Sequence, residues 1–264
     1  MSRLQVLVTT MHQSDFSKYS QMNLQTDAVI ANQADSNEIQ CQKVGDSNVQ
    51  LVTTATRGLS RNRNIALAHS NQKAEYLLFS DDDLIFTDGY EQLIVTEFEK
   101  HPEAEAIKFN IHDISSTRKI AMSRIQKFER ATKRNMSSSG VWGLVIKTTT
   151  LKNNNLRFHE NFGAGTENFC GEDSIFLMEL LKKKVKTYRS PVDIAGIDQT
   201  ESSWFQGHNA RYFTTAGMVI GTIYPILSYL IVIRSAYKAY KRNDSGMSFR
   251  DILKCYYDGV KKHG

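Results

Sequence analysis

The clearest pattern in the chain is a series of short apolar runs that each stop abruptly at polar residues. Leu4–Thr10 (LQVLVTT), Ala28–Asn32 (AVIAN), Val49–Thr53 and Tyr76–Ser80 (YLLFS) have the length of buried strands. Leu59–Ala68 reads as a helix with Ser60 as its cap, and Tyr90–Lys100 as a second, followed by a strand near Ala106–Ile111. Strands alternating with helices predict a mostly parallel sheet in an α/β layer architecture. In such sheets ligands bind beyond the carboxyl ends of the strands. The second half is less regular: a strand over Val141–Lys147, a glycine-punctuated loop over Arg157–Gly165 and a helix over Ser174–Lys184. Ala216–Ile233 is then mainly apolar, interrupted by Pro225. The expected division is an α/β domain over 1–215 and a helical, apolar-then-basic segment over 216–264.

Composition narrows the class. With 264 residues, 41% hydrophobic and 23% charged, the chain can bury one large core, and 3 Pro with 15 Gly argue against a disordered one. Three widely spaced cysteines form no CxxC pair, so neither a disulfide framework nor a structural zinc site is indicated. A reducing compartment fits, and the first residues lack the succession of a signal peptide, so the expected location is the cytoplasm. The net charge of +5 is uneven: from Arg234 onward eight basic residues face three acidic ones, which accounts for the whole excess.

Two acidic clusters carry candidate chemistry. Asp81-Asp82-Asp83 directly follows an apolar strand, and three adjacent carboxylates repel one another unless a cation joins them or a loop fans them into solvent. Oxygen ligands of this kind suit Mn²⁺ or Mg²⁺. Strand alternation sends Asp81 and Asp83 to one side, which puts Asp83 on the metal, Asp81 on a ribose or metal-bound water, and Asp82 in support. The same spacing also fits a solvated acidic turn. Glu172-Asp173 opens a helix, where carboxylates are favoured by the dipole, so one reading is a capping box. The other is a general base that takes a proton from an attacking hydroxyl, with Asp173 preferred over Glu172. Phe162, Gly163 and Gly165 form a loop just before this pair. The loop is not a phosphate-binding GxGxxG.

In order along the chain, LQVLVTTMHQSD, RGLSRNRNIALAHS (Arg57–Ser70), LLFSDDD (Leu77–Asp83) and RFHENFGAGTENFCGEDSIF (Arg157–Phe176) resemble the motifs of family 2 glycosyltransferases, among them bacterial capsule and exopolysaccharide enzymes. The resemblance runs from about Leu4 to Trp204. It implies the Rossmann-like GT-A fold, a nucleoside-diphosphate-sugar donor, most simply a UDP-sugar, and inversion at the anomeric carbon. By resemblance, Thr9, Thr10 and Met11 would meet the nucleotide base. Ser60, Arg61 and Asn62 stand where relatives carry an Ala-Arg-Asn triplet, and Asp81 and Asp82 would contact the donor. Arg57, Arg61 or Arg63 would bring positive charge near the phosphates. Phe162, Gly163 and Gly165 would line the acceptor, and His208 is a candidate further metal ligand or an ordinary surface histidine. Two positions depart from the pattern. Where relatives carry Asp-Asp-Gly-Ser, this chain has a stretch whose candidates are Asn32 and Asp35, and a glycine common after the Arg-Asn pair is Asn64 here.

The apolar segment and basic, tyrosine-bearing tail fit either an interfacial helix pair on an anionic membrane or a buried helix packed on the domain. A glycan or lipid-linked oligosaccharide acceptor would suit the first. A metal-dependent nucleotidyltransferase, or a non-enzymatic membrane or nucleic-acid adaptor, are the other classes. No triphosphate loop with a lysine supports the former, and no RNA-binding aromatic signature or zinc-finger spacing supports nucleic acid.

Overall fold

A computed structural model describes residues 2–114, 124–136, 139–197, 207–243 and 245–262. The strands are β1 (Leu4–Met11), β2 (Asp27–Gln33), β3 (Glu38–Val44), β4 (Ser47–Thr54), β5 (Tyr76–Asp81), β6 (Leu84–Phe86), β7 (Ala106–Asp113), β8 (Glu129–Arg130), β9 (Leu144–Lys147) and β10 (Thr187–Ile197). The helices are α1 (Ser17–Gln21), α2 (Leu59–Ala68), α3 (Tyr90–Lys100), α4 (Lys133–Met136), α5 (Thr148–Asn153), α6 (Glu172–Lys182), α7 (Ala210–Ile223), α8 (Ser228–Arg242) and α9 (Phe249–Lys262). The strands form one sheet in the order β3-β4-β2-β1-β5-β9-β7-β10-β6, with β8 beside β10. The block β4-β2-β1-β5 is parallel throughout, β7 and β10 are parallel, and β9 runs antiparallel between β5 and β7. This is the expected mostly parallel α/β sheet.

Strand periodicity explains how one sheet feeds two cores. On β1, Leu4, Val6 and Val8 point into a layer with Tyr90, Ile94 and Phe98 of α3, whereas Leu7 points into the opposite layer with Ala66 of α2 and Phe176 and Leu177 of α6. The central strands are buried on both faces, which is why they read as continuous apolar runs. All four carboxyl ends of the parallel block open toward one edge, where the two acidic clusters lie.

Several elements differ from expectation. Val141 to Gly143 form a turn, with Leu144 donating to the Val141 carbonyl at 2.9 Å, so β9 starts at Leu144. Helix α6 starts two residues before Ser174. β10 carries Pro191 and register shifts between Arg189 and Asp193, which hide its period. The expected boundary after residue 215 falls inside α7, and the apolar run Ala216–Ile233 is split at Pro225 into α7 and α8. Helices α7, α8 and α9 enclose a third core around Phe213, Val232, Ala236, Ile252 and Tyr256. Helices α7 and α9 touch backbone to backbone: a Cβ on Gly217 would sit 2.2 Å from the Tyr256 carbonyl oxygen, and one on Gly259 2.0 Å from that of Thr214.

Candidate active site

The sequence of α2 places four residues on its inner face, and only one is apolar: Ser60, Asn62, Arg63 and Ala66 are buried. Burying polar groups is costly unless each finds a partner, and here most do. Ser60, expected as the helix cap, lies one position inside the helix; the cap is Gly58, and the Ser60 hydroxyl donates to the Phe162 carbonyl at 2.6 Å. The Asn62 amide donates to the carbonyls of Thr10 and Ala31, tying α2 to β1 and β2. Asn64, at the position of the absent glycine, grips Phe158 through both backbone N–H and carbonyl. The helix thus clamps the first strands to the later loop.

Arg63 is the hub. Its guanidinium is 3% exposed and donates to Asp173 at 2.5 Å and to both oxygens of Asp81 at 2.9 and 3.3 Å, with Glu172 at 3.8 Å. Its carbon rests 5.2 Å from the centre of the Phe158 ring, which stacks on Phe176. Burial opposes the Arg63 charge, but Asp173, Asp81 and Glu172 outweigh it and hold its pKa above the ordinary arginine value. By resemblance Arg57, Arg61 or Arg63 would bring positive charge near the phosphates. Instead Arg63 joins the two acidic clusters into one site.

The carboxylates are correspondingly perturbed. Burial, reinforced by Asp173 and opposed by Arg63, pushes Glu172 up to about 7. Burial also raises Asp173, against the pull of Arg63 and of the Val141 backbone, which hydrogen-bonds its carboxylate. The cap of α6 is Gly171, which has no side chain to form the N-cap half of a capping box, while the Glu172 carboxylate accepts a hydrogen bond from its own backbone N–H in the first turn.

The triple aspartate does not continue strand alternation. β5 ends at Asp81, and Asp82 and Asp83 turn into β6. Thr9 donates to Asp81 at 3.1 Å and Thr10 to Asp82 at 2.5 Å, so the end of β1 braces the cluster. Asp83 is different. Its Oδ1 is buried without a hydrogen-bond partner, and burial with the neighbouring Asp81 and Asp82 charges raises it to about 7. A solvated turn would show neither property.

The other expected residues take different places in the fold. Met11 is exposed at the mouth of β1. Asn32 is fully buried and holds the loop after β1 through Gln13, with a further bond to Thr53. Asp35 pairs with Arg57 at 2.5 Å on the open side, and Arg61 reaches Glu160 at 3.2 Å. Phe162 is buried, while Gly163 and Gly165 press the loop against the start of α2, where Leu59 donates to the Ala164 carbonyl at 2.9 Å. Gly163 has φ +111°, and a Cβ there would meet the Glu172 carboxyl carbon at 3.2 Å. His208 packs edge-on against Tyr212 and stacks near Phe213 at the entry to α7. Among the described residues no three His, Cys, Asp or Glu side chains converge as a preformed metal cage. Trp204 and residues 201–206 lie outside the described residues.

One residue escapes the sequence reading altogether. Lys108, in the middle of β7, is buried; its ammonium donates to the Trp142 carbonyl and lies 3.9 Å from the centre of the Trp142 ring. Burial lowers it to about 7, against the pull of Asp173 and Asp81. A lysine inside the apolar run AIKFNI is the available signal.

The profile of Glycosyl transferase family 2 matches residues 29–164, just over half of the chain. The chain belongs to that family. The matched segment contains Arg63 and the triple aspartate and ends before Glu172. No curated protein matches the chain. Among solved structures, the S. aureus TarS 1–349 fragment in complex with UDP-GlcNAc is 14% identical with a TM-score of 0.60, over 84% of this chain and 66% of that one. The chain thus spans just under two thirds of that protein's length. The same fragment without a named ligand is 12% identical at 0.60, over 99% and 92%, and its complex with UDP is 13% identical at 0.58, over 100% and 72%. At these identities the likeness is one of fold, and it is the GT-A arrangement.

Proposed function

We propose that this glycosyltransferase is an inverting, metal-dependent enzyme of the hexosyltransferase type. It would move a sugar from a nucleoside-diphosphate sugar, most simply a UDP-sugar, to a hydroxyl of a glycan or lipid-linked oligosaccharide in bacterial surface polysaccharide synthesis. The observation that carries this reading is the Arg63 bridge between Asp81 and Asp173. It brings a donor-side carboxylate and a candidate base within reach of one guanidinium. The TarS complexes with UDP-GlcNAc and UDP support the choice of a uridine nucleotide.

In a single displacement the acceptor oxygen bonds to the anomeric carbon as the bond to the diphosphate breaks, and the hydroxyl proton passes to the carboxylate pair. Asp173 is suited to that proton. Arg63 and the Val141 backbone orient it, and burial raises its pKa above the ordinary carboxylate value, which strengthens it as a base. Glu172 shares the same field, so the two titrate as a pair. The unpartnered Oδ1 of Asp83 and the raised pKa of its carboxyl fit a divalent cation, Mn²⁺ or Mg²⁺. When bound, such an ion supplies charge neutralisation for the departing diphosphate. Arg57 and Arg61, exposed and paired with Asp35 and Glu160, rather than Arg63, would be the arginines to meet the phosphates. His208 would serve as a diphosphate contact or further ligand.

The test is a thermal-shift panel of nucleoside diphosphates and their sugars with Mn²⁺, followed by product analysis of any donor that binds. Stabilisation by one nucleotide and transfer with inverted anomeric configuration are expected. Retention of configuration, or pyrophosphate release from a nucleoside triphosphate, would overturn the proposal.

A further inference from the structure

We propose that the outer face of α8 is a docking surface for an anionic membrane. Helix α8 buries one stripe, Ser228, Val232, Ala236 and Ala239, in the third core, so its orientation is fixed by packing. The side that faces away from this stripe is divided between an apolar arc and a basic one. At about 100° per residue, Tyr229, Leu230, Ile233, Tyr237 and Tyr240 fall within one arc, and Arg234, Lys238, Lys241 and Arg242 fill the adjoining one. All five apolar or aromatic residues are exposed, Leu230 by 69%. The turn leading into the helix adds Ile226, exposed by 92%, and Leu227. A contiguous apolar patch of this kind marks an interaction surface.

Charge complementarity selects the occupant. The fifteen residues of α8 include four cations and no acidic side chain. An apolar stripe that carries three tyrosines and is bordered along one edge by Lys and Arg is the composition of a helix lying in the plane of a bilayer interface. Among the described residues no helix is long and apolar enough to cross a membrane, so the contact is with its surface. A second copy of the chain is a poor fit. A two-fold contact through this face would bring two sets of four cations together, and protein interfaces deplete lysine at their centres. Anionic headgroups instead supply the counter-charge, at about a fivefold gain in binding per basic residue near the surface.

Position gives the face a use. The far end of α8 lies beside the first turn of α7, where the Arg242 charge acts on Tyr212. Neighbouring Arg211 donates at 3.2 Å to the Glu167 carbonyl, in the loop that leads to Glu172. Docking through α8 would therefore hold the acceptor side of the site near the lipid surface. That consequence rests on the transferase reading; the docking itself does not.

Co-sedimentation of the full chain with phosphatidylcholine vesicles, alone or mixed with phosphatidylglycerol, tests the proposal. Binding to the mixed vesicles only, falling as salt rises, is expected. Lys238→Glu with Lys241→Glu should lower the partition coefficient about tenfold or more, and Ile226→Ser with Leu230→Ser should lower it by a similar factor. Both double variants replace exposed residues, so the melting temperature and the nucleotide-induced thermal shift should be unchanged. Indifference to anionic lipid overturns the proposal. So does an oligomer that the Ile226 and Leu230 changes dissociate while the wild-type protein ignores vesicles. A chain that docks but binds no nucleotide would leave this inference standing and sink the transferase reading.

Discussion

Asp81 and Asp173, from opposite halves of the chain, accept hydrogen bonds from the same guanidinium, that of Arg63. Three carboxylates share this one buried cation, since Glu172 lies 3.8 Å away. The balance among them sets the protonation of the whole site.

Replacing Arg63 with Met should raise the pKa of both Glu172 and Asp173, because Arg63 now lowers each. The acid limb of the rate profile should move to higher pH. Leaving buried carboxylates unpaired costs about 3–5 kcal/mol, so a melting curve belongs beside the kinetics. Arg63→Lys keeps the charge and loses the fork; it should fold and still lose at least about tenfold in kcat. Unaltered kcat and pH profile in the lysine variant would refute the bridging role.

Asp173→Asn should leave nucleotide affinity nearly intact and reduce turnover by about 10²–10⁴-fold, the scale of a general base. The sign of the pH dependence comes from the same group. The base must be ionised, and Glu172, coupled to it, sits at about 7. Burial raises Asp173 as well, so wild-type turnover should fall as pH drops through the raised range of this coupled pair. If Glu172→Gln shows the large loss and Asp173→Asn the small one, the roles are exchanged.

Asp83 is raised in the folded protein from 3.8 to about 7, so the native state holds a proton that the unfolded chain releases. Stability from this group is full below about pH 4 and is lost as pH rises toward 7. Asp83→Asn removes the loss. At pH 8 the variant should be more stable than wild type, on the order of 1–3 kcal/mol, yet show no Mn²⁺-dependent thermal shift. Equal stability at both pH values would contradict the burial of this carboxylate.

Lys108 acts through its neighbours. Its ammonium holds the Trp142 carbonyl, while the adjacent Val141 backbone holds Asp173. Lys108→Met keeps the volume and removes the charge. It should lower kcat about tenfold with little change in donor KM, and shift the acid limb upward because one stabilising charge near Asp173 is gone. A change in KM alone would mark Lys108 as a binding residue.

Gly163→Ala meets two obstacles: the positive φ and the Glu172 carboxyl 3.2 Å from the new Cβ. A destabilisation of about 1–2 kcal/mol is expected, with reduced turnover as Glu172 is displaced. Retained melting temperature and activity would show that the loop relaxes freely.

Legibility in the sequence has a physical basis. The parallel strands are buried on both faces, so their apolar runs stand out, and their abrupt polar ends mark the edge where Asp81 lies. β10 escapes because Pro191 and its register shifts break the alternation. The role of Arg63 escapes for a related reason. Patterning assumes that polar residues face water, whereas α2 turns Ser60, Asn62 and Arg63 inward toward a polar site. Lys108 is hidden by the same assumption. The family motifs locate both acidic clusters, but only coordinates could show that one arginine joins them.

The shared guanidinium also bears on which pieces of this chain can stand alone. A fragment confined to residues 29–164 would retain Arg63 and Asp81 but omit Asp173, Glu172 and the β1 residues that brace the aspartates. Such a fragment would lack two of the arginine's three anionic neighbours and β1, the strand between β2 and β5 in the parallel block. The region most recognisable by kinship is therefore not an autonomous folding unit, and dissection of this enzyme should cut elsewhere.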